Sequence, residues 1–334
     1  MNDDKRMPLA KQLQIGLHPA RCDIKKLASQ LVLPHDALMS RYHTVAVLMG
    51  GISAEREVSL ASGQAVALAL EEAGYTVHSV DISERRIDLP EDTEAVFNVL
   101  HGEFGEDGEA QTVLRELGIP STGASVEASR LAFDKFASKE HWRKRGLPTP
   151  DYELYHPGHS PTLPFPFIVK PARQGSSVGI HRVTHPEELD TAISDAIRFD
   201  DRILIESYIA GRELTVGVLN GTPLPVLEIR APDGNYDYRA KYTAGLTEYL
   251  VPAPLPAELA ERCQELAREA FLAMGCDDIG RVDFRMNSDQ ELYILELNTI
   301  PGFTATSLLP KAAAAAGINF VMLCDQIIRG ARVK

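Results

Sequence analysis

The sequence predicts an N-terminal α/β unit built on a parallel sheet, followed by α+β architecture that ends in a hairpin-centred sheet. Two patterns carry this reading. Compact β-branched runs alternate with helical stretches over residues 44–100, which is the signature of βαβ units. Much later, two apolar stretches flank the turn-forming tetrapeptide Asn287-Ser288-Asp289-Gln290, which is a hairpin signal. The chain is 334 residues long with 44% hydrophobic and 24% charged content, enough for two or three globular domains.

Thr44 to Met49 reads as a buried parallel strand ending in Gly50-Gly51. Glu57 to Ala73 reads as a helix stopped by Gly74. Thr76 to Val80 and Ala95 to Leu100 are further strands. Ligands of parallel sheets sit beyond the strand C-terminal ends. Two conspicuous loops lie there, Gly50 to Ser59 and His101 to Gly108. A helix is expected over Asp134 to Arg145, stopped by Gly146 and Pro148. Pro157 to Pro166 is proline-rich and is the best boundary signal in the chain. Beyond it come a strand over Phe167 to Lys170, a Gly/Ser loop over Pro171 to Gly179, a strand closed by Val183 and a helix over Pro186 to Phe199. Strands follow at Ile203 to Glu206 and Leu214 to Asn220. Pro232 to Leu250 is a long aromatic and polar loop, of the kind that carries function. Pro256 to Met274 is an amphipathic helix leading into the hairpin, and Ala312 to Ala316 belongs to another helix.

Residues 1–43 differ from the rest. Their net charge is +3, leaving −16 for the remainder of a chain whose total is −13. They have neither a secretory core nor the composition of a transit peptide, and are expected to be a loosely ordered extension with a short amphipathic pattern over Asp23 to Leu33. Met39 is an alternative start. The strong negative charge argues against a nucleic-acid partner. No apolar run is long enough to span a bilayer. Cys22, Cys263, Cys276 and Cys324 show no metal-site spacing and fit a reducing cytoplasm.

Side chains two apart on a strand share a face. Arg281 and Asp283 therefore point one way on the first hairpin strand, and Glu296 and Asn298 on the second. If these faces align, three oxygen-bearing side chains and a guanidinium converge, a donor set suited to Mg²⁺. Scattered solvated charges are the plainer alternative. Gly175 to Gly179 follows Lys170 and has the make-up of a phosphate cradle, although it is no Walker loop. Glu206, near Tyr208 and Ile209 and followed by Glu213, edges an apolar stretch that suits an adenine and its ribose.

The order Lys135, Lys170, Gly/Ser loop, Glu206, Glu213, Asp283, Glu296, Asn298 resembles the ATP-grasp superfamily. Five stretches resemble the D-alanine–D-alanine ligase family more closely: Gly50 to Leu60; His101 to Gly108 with Gln111; Lys170 to Gly179; Tyr238 to Tyr242; and Gly280 to Leu309. Ala110 departs from that pattern only in size. The resemblance spans Thr44 to Arg329. It implies a preATP-grasp domain (44–133) and a two-lobed ATP-grasp fold (134–213 and 214–334), with residues 1–43 outside. It implies ligation of two D-alanine molecules at the expense of ATP, through an acyl phosphate, for cell-wall precursor synthesis in the cytoplasm, by a homodimer. In that scheme Asp283, Glu296 and Asn298 hold two Mg²⁺ or Mn²⁺. Lys135, Lys170, Lys241, Ser176 and Ser177 hold phosphates, and Glu206, Ser207, Ile209 and Glu213 hold the nucleoside. Glu55, linked to Ser176 and Tyr242, takes the first ammonium, with His101 nearby. Ser307 and Leu308 take the second carboxylate, and Arg281 with the Gly302 N–H faces the oxyanion. The alternatives are a D-alanine–D-lactate ligase, another carboxylate–amine ligase, and an ATP-binding regulatory subunit without catalysis. The last should show broken metal ligands, and none is broken here.

Overall fold

The structure is a computed structural model and describes residues 41–175, 178–232, 243 and 245–334. Asp23 to Leu33, Met39, Ser176, Ser177, Lys241 and Tyr242 lie outside the described residues.

The first unit contains β1 (Thr44–Gly50), α1 (Arg56–Glu72), β2 (Thr76–Ile82), β3 (Ala95–Asn98), α2 (Glu109–Glu116) and α3 (Val126–Phe133). Its sheet is parallel, in the order β2-β1-β3. Every residue of β1 after Thr44 is buried, which is why the strand reads as continuous apolar sequence. The helix α1 lies so close to β1 that Gly63 has no room for a side chain, because an added Cβ would collide with Met49. The α1 helix ends at Gly74, whose φ of +96 is the left-handed conformation that glycine adopts readily.

Next come α4 (Lys135–Arg143), β4 (Tyr152–Leu154), β5 (Phe167–Pro171), β6 (His181–Val183), α5 (Leu189–Ala196) and β7 (Ile203–Ser207). Their four-stranded antiparallel sheet runs β4-β7-β5-β6. The Pro157 to Pro166 connector joins β4 to β5, two strands of this one sheet, so its prolines mark a long excursion and not a separation. The helix expected over Pro186 to Phe199 divides into a 3₁₀ turn at Pro186–Glu188 and then α5. Asp134 caps α4, its carboxylate accepting from the Ala137 N–H.

The last unit holds β8 (Arg212–Leu219), β9 (Thr222–Pro223), β10 (Leu227–Arg230), β11 (Glu248–Leu250), α6 (Ala257–Ala273), β12 (Ile279–Met286), β13 (Leu292–Asn298), α7 (Leu308–Ala315) and α8 (Phe320–Arg329). The sheet runs β11-β10-β8-β12-β13, with β9 paired to β8. One core combines this sheet with α6 and with Trp142 of α4, whose indole N–H donates to the Ala270 carbonyl at 3.2 Å. The helix α4 is therefore keyed into the last unit although it leads into the middle sheet. Likewise α8 returns to the first unit, packing Leu323 and Ile327 with Val66 and Leu70 of α1. The Tyr42 hydroxyl donates to the Ala331 carbonyl at 2.7 Å, so the last residues before β1 are held against the end of the chain.

Among the described residues no single helix is long and apolar enough to cross a membrane. The pair α7 and α8 passes that test together but bends by 103°, and its apolar residues lie in the core.

The Gly63 contact gives the first testable outcome. Gly63→Ala should destabilise the fold by roughly 1–3 kcal/mol through overpacking of α1 on β1. Urea denaturation at equilibrium measures it, and an unchanged midpoint would show that the helix shifts without cost.

Candidate active site

The hairpin places the sequence-predicted group as its two-residue period requires. Arg281 lies opposite Asn298, and Asp283 lies opposite Glu296 across β12 and β13. A register shift follows between Asp283 and Phe284, a bulge that ends the regular pairing just past these residues. Arg281 grips Asp283 with two parallel bonds, Nε to Oδ1 at 2.8 Å and Nη2 to Oδ2 at 2.7 Å. Asn298 Nδ2 donates to Asp283 Oδ2 at 3.0 Å, and the Thr215 hydroxyl of β8 donates to Asp283 Oδ1 at 2.5 Å. Glu296 is paired instead with Lys135 of α4, at 3.0 Å.

This surface forms one wall of a cleft of about 480 Å³. Arg281, Glu296, Asn298, Gly302, Ser307 and Leu308 line it from the last unit. Glu55 and His101 line it from the first, at the two strand-end loops. Glu55 stands at the N-cap of α1, where a carboxylate is favoured by the helix dipole. Its carboxylate presses against Gly175, where an added Cβ would sit 2.6 Å from Oε2. The Gly/Ser loop and the α1 N-terminus thus meet at this point of the cleft.

His101 is buried and both its ring nitrogens are engaged. Nδ1 donates to the Ile300 carbonyl at 3.0 Å, and Nε2 faces the Ser62 hydroxyl at 3.4 Å. Burial lowers its pKa, opposed by Glu55, so the ring is neutral near pH 7. Ser307 stands at the N-cap position of α7, and its hydroxyl accepts from the Thr304 N–H at 3.1 Å, outside the helix. Leu308 opens that helix and lines the cleft with Ser307.

A second cluster surrounds Glu206, on β7. Its Oε1 accepts from Lys170 of β5 at 2.8 Å, and Lys139 of α4 contacts Oε2. Burial raises the carboxyl pKa, but the two lysines outweigh it and hold the group below the ordinary carboxylate range. Ser207 ends β7 beside it. Ile209 and Glu213 are drawn together by Arg285, whose Nε donates to the Ile209 carbonyl at 3.1 Å and whose Nη1 meets Glu213 at 3.1 Å. Neither this cluster nor Asp283 lines the cleft itself. The link is α4, which sends Lys135 to Glu296 and Lys139 to Glu206. Lys135 also donates to the Gln174 carbonyl at 2.6 Å. Its charge is disfavoured by burial but more than restored by Glu296, so its pKa is raised.

Two residues of the site are not singled out by the sequence patterns. Lys139 carries a signal, since it sits four residues after Lys135 and so on the same helix face. Glu106 carries none beyond its place in the His101 loop. It lines the cleft and accepts from the Gly102 N–H at 2.7 Å. Burial, with the nearby charge of Glu55, pushes its carboxyl up to about 8. The folded protein therefore holds a proton there that the unfolded chain, near 4.5, has lost. Stability from this group is fully present below the unfolded value and is lost as pH rises through the folded one. Without nucleotide, the melting temperature should fall from about pH 5 to about pH 8, and Glu106→Gln should flatten that fall. Parallel profiles for the two proteins would contradict it.

Known proteins resemble this chain over most of its length. A family model described as D-ala D-ala ligase C-terminus matches residues 142–329. A D-alanine–D-alanine ligase of Syntrophotalea carbinolica is 48% identical over 87% of this chain and 96% of that protein. The enzyme of the same name from Methylacidiphilum infernorum is 45% identical over 85% and 94%. A crystal structure of D-alanine–D-alanine ligase from Bacillus anthracis complexed with ATP is similar in fold, with a TM-score of 0.76, 35% identity, and coverage of 86% of this chain and 96% of that one. The hairpin, the strand-end loops and the helix that joins their charges are thus found in a chain that belongs to the D-alanine–D-alanine ligase family.

Proposed function

We infer that this protein ligates two molecules of D-alanine to D-alanyl-D-alanine with ATP, in the synthesis of cell-wall precursor. The observation that carries the chemistry is the facing pair Asp283 and Glu296, with Glu296, Arg281 and Asn298 lining a cleft that Glu55 also lines and Asp283 held directly behind them by Arg281. The reaction passes the γ-phosphoryl group of ATP to the carboxylate of the first D-alanine. The amine of the second attacks that acyl phosphate, and phosphate leaves.

The residues divide the work by charge. Glu55 takes the ammonium of the first D-alanine at the cleft wall, beside His101. Ser307 and Leu308 take the carboxylate of the second, through the N–H groups that open α7. Arg281 and the Gly302 N–H face the oxygen that becomes negative when the amine attacks, which is where preorganised donors act most strongly. Lys135 and Lys170 hold phosphate oxygens. Glu206, Ser207, Ile209 and Glu213 receive the nucleoside. Ser176, Ser177, Lys241 and Tyr242 keep the phosphate and loop roles that the resemblance implies. Asp283, Glu296 and Asn298 are the hard-oxygen donors that would hold Mg²⁺ or Mn²⁺, in place of the contacts that Arg281, Asn298 and Lys135 now make with the two carboxylates. A bound divalent ion would neutralise phosphate charge there. We take 44–133, 134–213 and 214–334 as the domains. The cytoplasm is the compartment that suits the buried free thiols Cys263, Cys276 and Cys324, and the homodimer rests on the resemblance alone.

Asp283→Ala and Glu296→Ala should each abolish dipeptide synthesis while circular dichroism stays unchanged, since each removes an oxygen ligand. Near-normal turnover at saturating Mg²⁺ would sink the assignment. Arg281→Lys keeps the charge but loses the planar fork that now grips Asp283. Its kcat should fall by about a hundredfold, the scale of one lost oxyanion donor, and a wild-type rate would remove Arg281 from that role.

A further inference from the structure

The Glu206 cluster contains an unusual asymmetry. Lys170 hydrogen-bonds Oε1. Oε2 is fully buried and faces the Lys139 ammonium, with no other partner among the described residues. A buried carboxylate oxygen with lone pairs to spare calls for a donor from elsewhere. The Lys139 side chain is entirely buried. Its ammonium donates to the Thr149 hydroxyl at 2.7 Å and lies 5.7 Å from the centre of the Tyr152 ring. Thr149 in turn donates to the Ile294 carbonyl at 2.8 Å, and the Ile294 N–H donates to the Pro148 carbonyl at 2.9 Å. Ile294 lies on β13, two residues from Glu296. Lys135, one helical turn before Lys139, closes the circuit by pairing with Glu296.

We propose that Lys139 is a positioning residue that makes the nucleotide site select a 6-aminopurine, by fixing Glu206 as an acceptor-only carboxylate and tying it through Thr149 to the strand that carries Glu296. The proposal rests on the reading of Glu206 as a nucleobase contact. An ionised carboxylate accepts from the 6-amino group of adenine and repels the 6-oxo group of hypoxanthine or guanine. Its ionised state depends on cations around it. Lys170 is shared with the phosphates, which leaves Lys139 as the cation devoted to Glu206. Without it, Glu206 is a buried carboxylate that more easily takes a proton. A protonated carboxyl can donate to a 6-oxo group, so discrimination narrows. Lys139→Arg keeps the charge and should keep the preference.

The test compares ATP with inosine triphosphate, which replaces the 6-amino group by oxygen, in steady-state phosphate release at saturating D-alanine. Wild type should favour ATP strongly in kcat/KM. Lys139→Met should reduce that ratio by about tenfold, mainly through KM for ATP, while Lys139→Arg retains most of it. Equal losses for both nucleotides, or an unchanged ratio, would overturn the proposal. Glu206→Gln separates it from the nucleobase contact on which it rests, since an amide both donates and accepts and should also lower the ratio. An unchanged ratio in Glu206→Gln would overturn the nucleobase contact and the proposal with it. A lowered ratio there, beside an unchanged one in Lys139→Met, would overturn the Lys139 proposal alone. Should Lys139→Met fold poorly, the double variant with Glu206→Gln gives a second reading, since it replaces the carboxylate that Lys139 faces. It should show the ratio of Glu206→Gln alone, because Lys139 acts only through that carboxylate. A further drop in the double variant would contradict the proposal.

Discussion

Two carboxylates facing each other across a hairpin repel, and the rest of the site is arranged around that repulsion. Asp283 and Glu296 are direct cross-strand partners. At roughly 5 Å and an effective dielectric of about 20, like charges cost about 3 kcal/mol. The chain meets this with one cation for each. Arg281, from the same strand face, closes on Asp283, and Lys135 reaches Glu296 from α4. The second pairing sets long-range geometry. Because Lys135 must meet Glu296, α4 has to lie over the last sheet, and Trp142, two turns further along the same helix face, packs into that sheet's core. The same helix then delivers Lys139 to Glu206 in the middle sheet.

Much of this arrangement is legible in the sequence. The two-residue period of β12 and β13 is enough to put Arg281, Asp283, Glu296 and Asn298 on one face, and the bulge falls after the residues that matter. The strand-end loops carrying Glu55 and His101 follow from the rule for parallel sheets, and both line the cleft. Other features leave no local trace. The helices α2 and α3 have eight residues each, too short for a clear period. The proline-rich connector has the composition of a boundary, yet its ends are fixed by β4 and β5 pairing with the same strand, β7. The return of α8 to α1 joins positions far apart in the chain, and only packing chooses among apolar faces of similar character. Glu106 is set apart by burial and by a neighbouring carboxylate, neither visible in a one-dimensional pattern.

Under the proposed function the site spans one long ligand, its phosphate end bounded by Lys135, Glu296 and the start of the Gly/Ser loop and its nucleoside end by Glu206 with its lysines. The helix α4 fixes the spacing between them with two side chains one turn apart. A rigid element suits this better than a loop, since phosphoryl transfer depends on position and on electrostatic stabilisation more than on covalent chemistry by the protein.

The claim that a cation-balanced carboxylate face serves carboxylate activation can be tested by following oxygen. D-Alanine carrying ¹⁸O in its carboxylate is supplied with ATP, and the phosphate released is analysed by mass spectrometry. If the carboxylate takes the γ-phosphoryl group and the amine then displaces it, one carboxylate oxygen departs with phosphate in each turnover, and the released phosphate should be singly labelled. Unlabelled phosphate accompanying dipeptide would mean that the bond forms without an acyl phosphate, and the account of Arg281, Gly302 and the hairpin face would have to be abandoned.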